Sequence, residues 1–449
     1  MKPYRTLFSA VALCVTSVLV GCGGSSDTAT NDIPQNSNSA PLANAGNDQT
    51  VSLGDTVTLS GEASSDADGD TLTYQWSLLE APQTSTASVD SIEVAASFVA
   101  DSLGTYVVQL VVNDGLVDSV AVTVSITVLS TAQDITDKLL SDTSAGCEAY
   151  QGEYQSQVMD LQRGETFVGE LTIQTQSSTC RLTSNEIPNH DFNDASAAFA
   201  TPVSAQNNQL DIPTSPLQAG NVTPLSLTTT NGVFLNGATL DLLAAACYGI
   251  GSEPLGNEKI GCGQDQIDNP WRYDPMSALN TFGTDAHNAH TQPDGTYHYH
   301  GNPQALFDQD CDLTGVPSPV VGFAADGFPI YGSCFTDEQG NVRKALSSYQ
   351  LKNNGGARQA EPGYQTPQAG VGVVASDQYD GQFVGDWEYQ ADSGDLDICN
   401  GMTVDGQYGY YITDQYPWVM GCFTGTPDPS FDKTGAALVN RMHAHPHRH

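Results

Sequence analysis

Apolar and polar residues alternate with period two through much of this chain, and long helical periodicity is rare. Thr71-Leu72-Thr73-Tyr74-Gln75-Trp76 alternates, and Gly104 to Val112 reads as a second strong strand. Val120, Val122, Val124, Ile126 and Val128 fall on one face of a third. Such alternation puts successive side chains on opposite faces of a sheet. Asp66-Ala67-Asp68-Gly69-Asp70 and Asn113-Asp114-Gly115 supply turns. Several short strands over residues 41–130 predict an antiparallel β-sandwich, with Trp76 as core anchor and Tyr106 as a buried neighbour. Residues 131–145 read as a linker. From 146 to 426 the alternation continues among many Gly, Pro and Asn turns, which predicts a larger β-rich domain with its own core. The fold class expected is therefore all-β.

The densest pattern is His287-Asn288-Ala289-His290-Thr291-Gln292-Pro293-Asp294-Gly295-Thr296-Tyr297-His298-Tyr299-His300-Gly301. Four of the nine histidines lie here. Pro293-Asp294-Gly295 reads as a three-residue hairpin loop, with Gly in the left-handed position. Period two then puts His298 and His300 on one face and Tyr297 and Tyr299 on the other. A three-residue loop sets His298 opposite His290 and His300 opposite Asn288. Three imidazoles converge, as a zinc or copper site requires. A two-residue loop would move His290 to the tyrosine face. His287 and His190 are further candidate donors. The competing reading is a packed, hydrogen-bonded hairpin without metal.

The ends of the chain add targeting and a second histidine group. Lys2 and Arg5 precede a short apolar run, and Leu19-Val20-Gly21-Cys22 resembles a bacterial lipoprotein box. Residues 1–21 are read as signal peptide, Cys22 as the lipidated residue, and 22–40 as a flexible tether. In the lipoproteins it resembles, Asp after the cysteine favours inner-membrane retention, so Gly23 points to the outer membrane. No other segment is long and apolar enough to span a bilayer. Residues 427–449 form a tail in which His443, His445, His447 and His449 alternate and can chelate Cu(II), Ni(II) or Zn(II) loosely.

The 52 acidic residues outnumber the 14 basic ones, for a formal charge of −38, and leave no basic patch for nucleic acid. Beyond Cys14 and Cys22, eight cysteines remain: Cys147, Cys180, Cys247, Cys262, Cys311, Cys334, Cys399 and Cys422. An even set in an exported chain implies disulfides. The spacings fall into neighbouring twos, which favours sequential pairing.

Ala43-Asn44-Ala45-Gly46, Asp68-Gly69-Asp70, Leu72-Thr73-Tyr74-Gln75-Trp76 and Asn113-Asp114-Gly115 together resemble an Ig-like PKD domain. The resemblance implies a spacer or adhesion module. Asp66, Asp68 and Asp70 are a candidate calcium cluster, although Asp-Gly turns often hold no metal. Thr296-Tyr297-His298-Tyr299-His300-Gly301 resembles the signature of the YHYH-domain family. Ile187-Pro188-Asn189-His190, Gly322 to Gly332, Leu396-Asp397-Ile398-Cys399-Asn400-Gly401 and Tyr416 to Phe423 extend the match. It implies an extracytoplasmic, disulfide-bearing bacterial domain and no particular reaction.

Candidate chemistry therefore rests on the residues themselves. Asp326, in Ala325-Asp326-Gly327, is a turn residue or a general base. Asp285 is placed to ligate or to orient a ligand imidazole. Gly-x-Ser-x-Gly and phosphate-binding loops are absent. Three function classes remain: metal capture or sensing with copper or zinc, a metal-dependent hydrolytic or oxidative enzyme, and surface adhesion. The lipid anchor makes the membrane the expected partner.

Overall fold

The computed structural model describes residues 38–250 and 261–433. They fall into one unit ending at Ser130 and another beginning at Thr131. Residues 1–37, with Cys22, and the tail histidines His443 to His449 lie outside the described residues.

The first unit contains β1 (Gln49–Ser52), β2 (Thr56–Ser60), β3 (Thr73–Glu80), β4 (Asp90–Ser91), β5 (Ala95–Val99), β6 (Gly104–Asn113) and β7 (Val122–Leu129). One sheet runs β1-β7-β6-β3-β4, and β2 pairs with β5. Alternation decides which residues are inside. Tyr106, Val108, Leu110 and Val112 of β6 are buried, as are Val124, Ile126 and Val128 of β7. Trp76 is fully buried and its Nε1 donates to the Glu93 carbonyl at 3.2 Å. The Tyr106 hydroxyl donates to Asp101 at 2.8 Å and accepts from the Ser102 amide at 2.9 Å. Val120 departs from its expected inward position and is 85% exposed. The chain turns back just before it, where the Ser119 amide donates to the Val112 carbonyl and the Ser119 hydroxyl accepts from the Val112 amide. Asp66 accepts from the amides of Asp68 and Asp70 at 2.8 and 3.2 Å, which shapes the turn.

The second unit is built around two larger sheets. Strands β8 (Gln133–Asp134), β9 (Gly152–Asp160), β10 (Glu165–Thr175), β11 (Thr179–Ser184) and β12 (Asn208–Pro213) form one, in the order β12-β11-β10-β9-β8. Residues 131–145, expected as a linker, contribute its edge strand β8, paired parallel to β9. The Ile135 amide also donates to the Gln155 carbonyl, and the Leu140 amide to Leu306.

The remaining strands are β13 (Thr223–Pro224), β14 (Gly232–Phe234), β15 (Thr239–Leu240), β16 (Ala289–Thr291), β17 (Tyr297–Tyr299), β18 (Val320–Ala324), β19 (Pro329–Tyr331), β20 (Cys334–Thr336), β21 (Val342–Lys344), β22 (Tyr349–Leu351), β23 (Trp387–Tyr389), β24 (Gly401–Val404), β25 (Gln407–Tyr411) and β26 (Cys422–Phe423). Eight of them make the second sheet, β16-β17-β15-β14-β18-β19-β25-β24. A single apolar cluster takes Val158, Leu171, Ile173 and Leu182 from the first sheet and Phe234, Tyr299, Phe323, Ile330 and Tyr410 from the second. The only α-helix among the described residues is a single turn, Cys311–Thr314.

Four disulfides join Cys147–Cys180, Cys247–Cys262, Cys311–Cys334 and Cys399–Cys422, the sequential pairs. Cys399 and Cys422, 23 residues apart, are both buried in the main cluster. Replacing both by Ser should cost about 3 kcal/mol, mostly from freeing the unfolded loop. A guanidinium titration read on the second unit would show an unchanged midpoint if the bridge contributes nothing.

Candidate metal centre

The site is built on the β16–β17 hairpin. The Gly295 amide donates to the Gln292 carbonyl at 2.9 Å, and the Gln292 amide in turn donates to the Thr296 carbonyl at 2.9 Å. Gly295 has φ +88°, a conformation that side chains disfavour. A Cβ there would also run into the Ser204 hydroxyl and the Pro202 carbonyl. This three-residue loop sets the register Ala289↔Tyr299, His290↔His298 and Thr291↔Tyr297. The His300 amide donates to the Asn288 carbonyl at 2.9 Å.

His290, His298 and His300 therefore share one face, with ring centroids 4.8 Å apart in all three pairs. His300 Nε2 lies 3.2 Å from His298 Nε2 and 3.0 Å from His290 Nε2. A tetrahedral ion with Zn–N bonds of about 2.0 Å sets its ligand nitrogens about 3.3 Å apart. His290 Nδ1 donates to the Phe282 carbonyl at 2.6 Å, which leaves Nε2 with its lone pair turned to the other rings. His298 Nδ1 lies 3.4 Å from the Thr296 carbonyl. His298 and His300 are buried. Burial first, then the neighbouring imidazoles, holds both well below the ordinary histidine range. They are neutral donors near neutral pH and below it.

The opposite face of β17 is apolar and hydrogen-bonded. Tyr297 and Tyr299 are fully buried. His190 Nδ1 donates to the Asp191 carbonyl at 2.8 Å, so its Nε2 accepts from the Tyr299 hydroxyl at 2.6 Å. His287 packs against His190, with centroids 3.9 Å apart. Neither histidine, each a candidate fourth donor, joins the triad. The reason is local. Residues 285–288 form a turn closed by the Asn288 amide on the Asp285 carbonyl, and Asn288 has φ +62°. His287 precedes the strand, and its odd number puts it on the side of Ala289 and Tyr299 rather than with His290. Asp285 accepts from the amides of His287 and Ala289 at 3.0 and 3.2 Å and from the Tyr297 hydroxyl at 3.0 Å. It organises the tyrosine face and does not touch the three imidazoles.

Residues 209–425 match the family YHYH protein, and residues 45–128 match a family of PKD domains. The second unit carries a YHYH domain. The first carries a PKD domain. Among solved structures, similarity extends to a nucleoside hydrolase-related hypothetical protein from Saccharophagus degradans associated with carbohydrate metabolism, at 24% identity over 20% of this chain and 26% of that one, TM-score 0.19. The PKD domain from KIAA 1837 protein is 28% identical over 22% of this chain and 94% of its own, TM-score 0.19. That of human KIAA0319 is 20% identical over 24% and 93%, TM-score 0.19. The chain thus spans about a quarter of the first of these proteins. No curated protein matches the chain.

Beside the triad the YHYH domain has a cavity of about 360 Å³, lined by His298 together with Glu186, Thr239, Asp241, Gln292 and Lys433. Gln292 Nε2 lies 3.4 Å from His298 Nε2 and 3.3 Å from Asp241 Oδ2. Lys433 pairs with Asp241 at 2.9 Å. Burial pushes Lys433 down to about 7, against the pull of that carboxylate, and pushes Glu186 up to about 7. These wall residues were not singled out from the sequence. Glu186 and Lys433 lie outside the family match, and only folding brings them to the hairpin.

Asp326, the candidate base, is placed elsewhere. It occupies the β18–β19 turn, where it accepts from the Tyr410 hydroxyl at 2.6 Å and the Gly425 amide at 2.9 Å. Burial raises its pKa. It does not line the cavity beside the triad, because the Ala325-Asp326-Gly327 turn faces Pro213 and the β25–β26 end of the domain. Asp395 forms a two-pronged pair with Arg343 at 2.7 Å on each oxygen, and Asp397 accepts from the Tyr408 hydroxyl at 2.9 Å.

Burial, and then the neighbouring His287, holds His190 down at about 3. The unfolded imidazole titrates near 6.5, so below that pH the unfolded chain takes up a proton that the folded chain refuses. The stability involved is complete above about pH 6.5 and is lost as pH falls toward about 3. Between about pH 7.5 and about pH 5, His190 should account for on the order of 2 kcal/mol. Denaturant titrations at both pH values should show a shallower dependence in His190→Gln; an identical slope refutes the assignment.

Proposed function

We propose that this chain binds a transition metal through His290, His298 and His300 and presents it to the cavity beside His298. The observation that carries the reading is the convergence of three imidazoles, with His300 Nε2 at 3.0 and 3.2 Å from the other two Nε2 atoms, close to the spacing within a tetrahedral ion's ligand set. Zinc fits this spacing, and copper shares the preference for imidazole. Three protein donors leave one coordination position, which a closed structural site would fill. A cavity lined by one of the three ligands, His298, favours metal-dependent catalysis over closed storage. The PKD domain then acts as a spacer, and Cys22 as a lipid anchor to the outer membrane, with the tail histidines His443 to His449 as a looser capture site.

Protein purified without a metal-affinity step, and shortened to remove His443 to His449, should hold about one metal ion per chain. The His298→Ala/His300→Ala double variant should lose it while keeping its fold. Equal metal content in parent and variant overturns the reading. For the anchor, Cys22→Ala should release the protein from membrane fractions, and unchanged retention counts against lipidation.

A further inference from the structure

Lys433 and Asp241 meet in the wall of the cavity. Their side chains are 8% and 5% exposed, and Nζ lies 2.9 Å from Oδ2. The same Nζ donates to the Leu227 carbonyl at 3.3 Å, and the Lys433 amide donates to the Thr228 carbonyl at 2.8 Å. The lysine is thus held at both ends. Asp241 is fixed by its amide, which donates to the Tyr299 carbonyl at 2.8 Å just beyond β15. Gln292 Nε2 approaches the same Oδ2 at 3.3 Å. Burial disfavours charge on both partners, which brings the ion pair close in energy to a neutral amine beside a carboxylic acid. Those two neutral groups, in contact and shielded from water, are the reactants from which an amide is made.

A third group completes the chemistry. Glu186 is buried and accepts from the Asn208 side-chain amide at 2.8 Å and from the Thr239 hydroxyl. Thr239 and Asp241 are two residues apart along one extended segment, so their side chains face the same way. Glu186 therefore stands beside the pair, and all three residues line the same cavity. Its backbone sits at φ +58°, which is uncommon for a glutamate and persists where the surroundings hold it. We propose that Lys433 and Asp241 become joined by a covalent side-chain amide, formed within the folded chain with Glu186 as proton shuttle. The Nζ lone pair attacks Cγ of the protonated Asp241 carboxyl group. Gln292 Nε2 donates to the oxygen on which negative charge develops. Glu186 takes a proton from the attacking nitrogen, gives one to the departing hydroxyl, and ends as it began. A C–N bond forms, a C–O bond breaks, and one water leaves into the cavity. The step consumes no oxidant and needs no metal on the triad. Reactants already held in contact avoid the entropy cost of being brought together. The linked residues are 192 apart in the chain. The span between them contains the β16–β17 hairpin and three of the four disulfides. The amide would fasten the segment after β26 to the end of β15, beside β17.

The test is peptide mapping by mass spectrometry of the full-length chain after reduction and denaturation. The linked chain should give one branched peptide joining the Asp241 and Lys433 segments, lighter by one water than the two apart. Trypsin should no longer cut after Lys433, because an amide nitrogen carries no charge. Asp241→Ala and Lys433→Met should each abolish the branched peptide. Glu186→Gln, which is near-isosteric and leaves the reacting pair in place, should hold the linked fraction at about a tenth of the parent's or less. Separate Asp241 and Lys433 peptides from the parent, with complete cleavage after Lys433, overturn the proposal whatever the variants do. A branched peptide that survives Asp241→Ala also overturns it. Glu186→Gln protein linked as fully as the parent overturns the shuttle. The metal reading stands or falls separately, on the metal content of the triad variant.

Discussion

The pairing of β16 with β17 is the constraint on which the rest of the site depends. Because a strand has a side-chain period of two, its register decides the face of every residue at once. With His290 across from His298, three imidazoles gather on one side and two phenols on the other. A slip of one residue would put His290 among the tyrosines. Gly295 prevents that slip, since its backbone conformation and the closeness of Ser204 both exclude a side chain. The hairpin is then locked from outside by β15, which runs parallel to β17 and pairs Thr239 with His298. β17 is buried on both faces as a result.

The two faces differ in how their polar groups are satisfied. On the tyrosine side each hydroxyl has a protein partner, Asp285 for Tyr297, and His190 with Asn236 for Tyr299. On the imidazole side the Nε2 atoms face one another, Nδ1 of His290 and His298 lie against the Phe282 and Thr296 carbonyls, and His300 Nδ1 is buried with no hydrogen-bond partner among the described residues. A closed network specifies structure, while an incompletely satisfied one marks a place where structure has been given up for something else. That contrast within a single strand separates scaffold from candidate site more sharply than residue type does.

What could be read from the chain follows from the range of the forces involved. The hairpin, its three-residue loop and its facing were legible because turn chemistry and alternation act over a few residues. The β-sandwich was legible for the same reason, through β6 and β7. His287, a candidate fourth donor, lies apart from the triad because it shares the side of Ala289 and Tyr299, where it packs against His190. The cavity wall beyond the hairpin was not legible. Glu186 precedes β12, Asp241 follows β15 and Lys433 follows β26, so tertiary packing alone assembles them. Edge strand β8 was hidden for a related reason: its place depends on backbone pairing with β9, which leaves no apolar signature.

The disulfides are nested nowhere: each closes before the next begins. From Cys147 onward, a chain oxidised progressively toward its C-terminal end meets the correct partner as the next cysteine to appear. Pairing by order of appearance reaches the native set without reshuffling, and the oxidant can be fast rather than selective. The arrangement also makes each covalent loop local to one part of the second unit. A strand exchange or insertion in one loop leaves the other three able to form, which gives the domain room to vary its flanks around an unchanged hairpin.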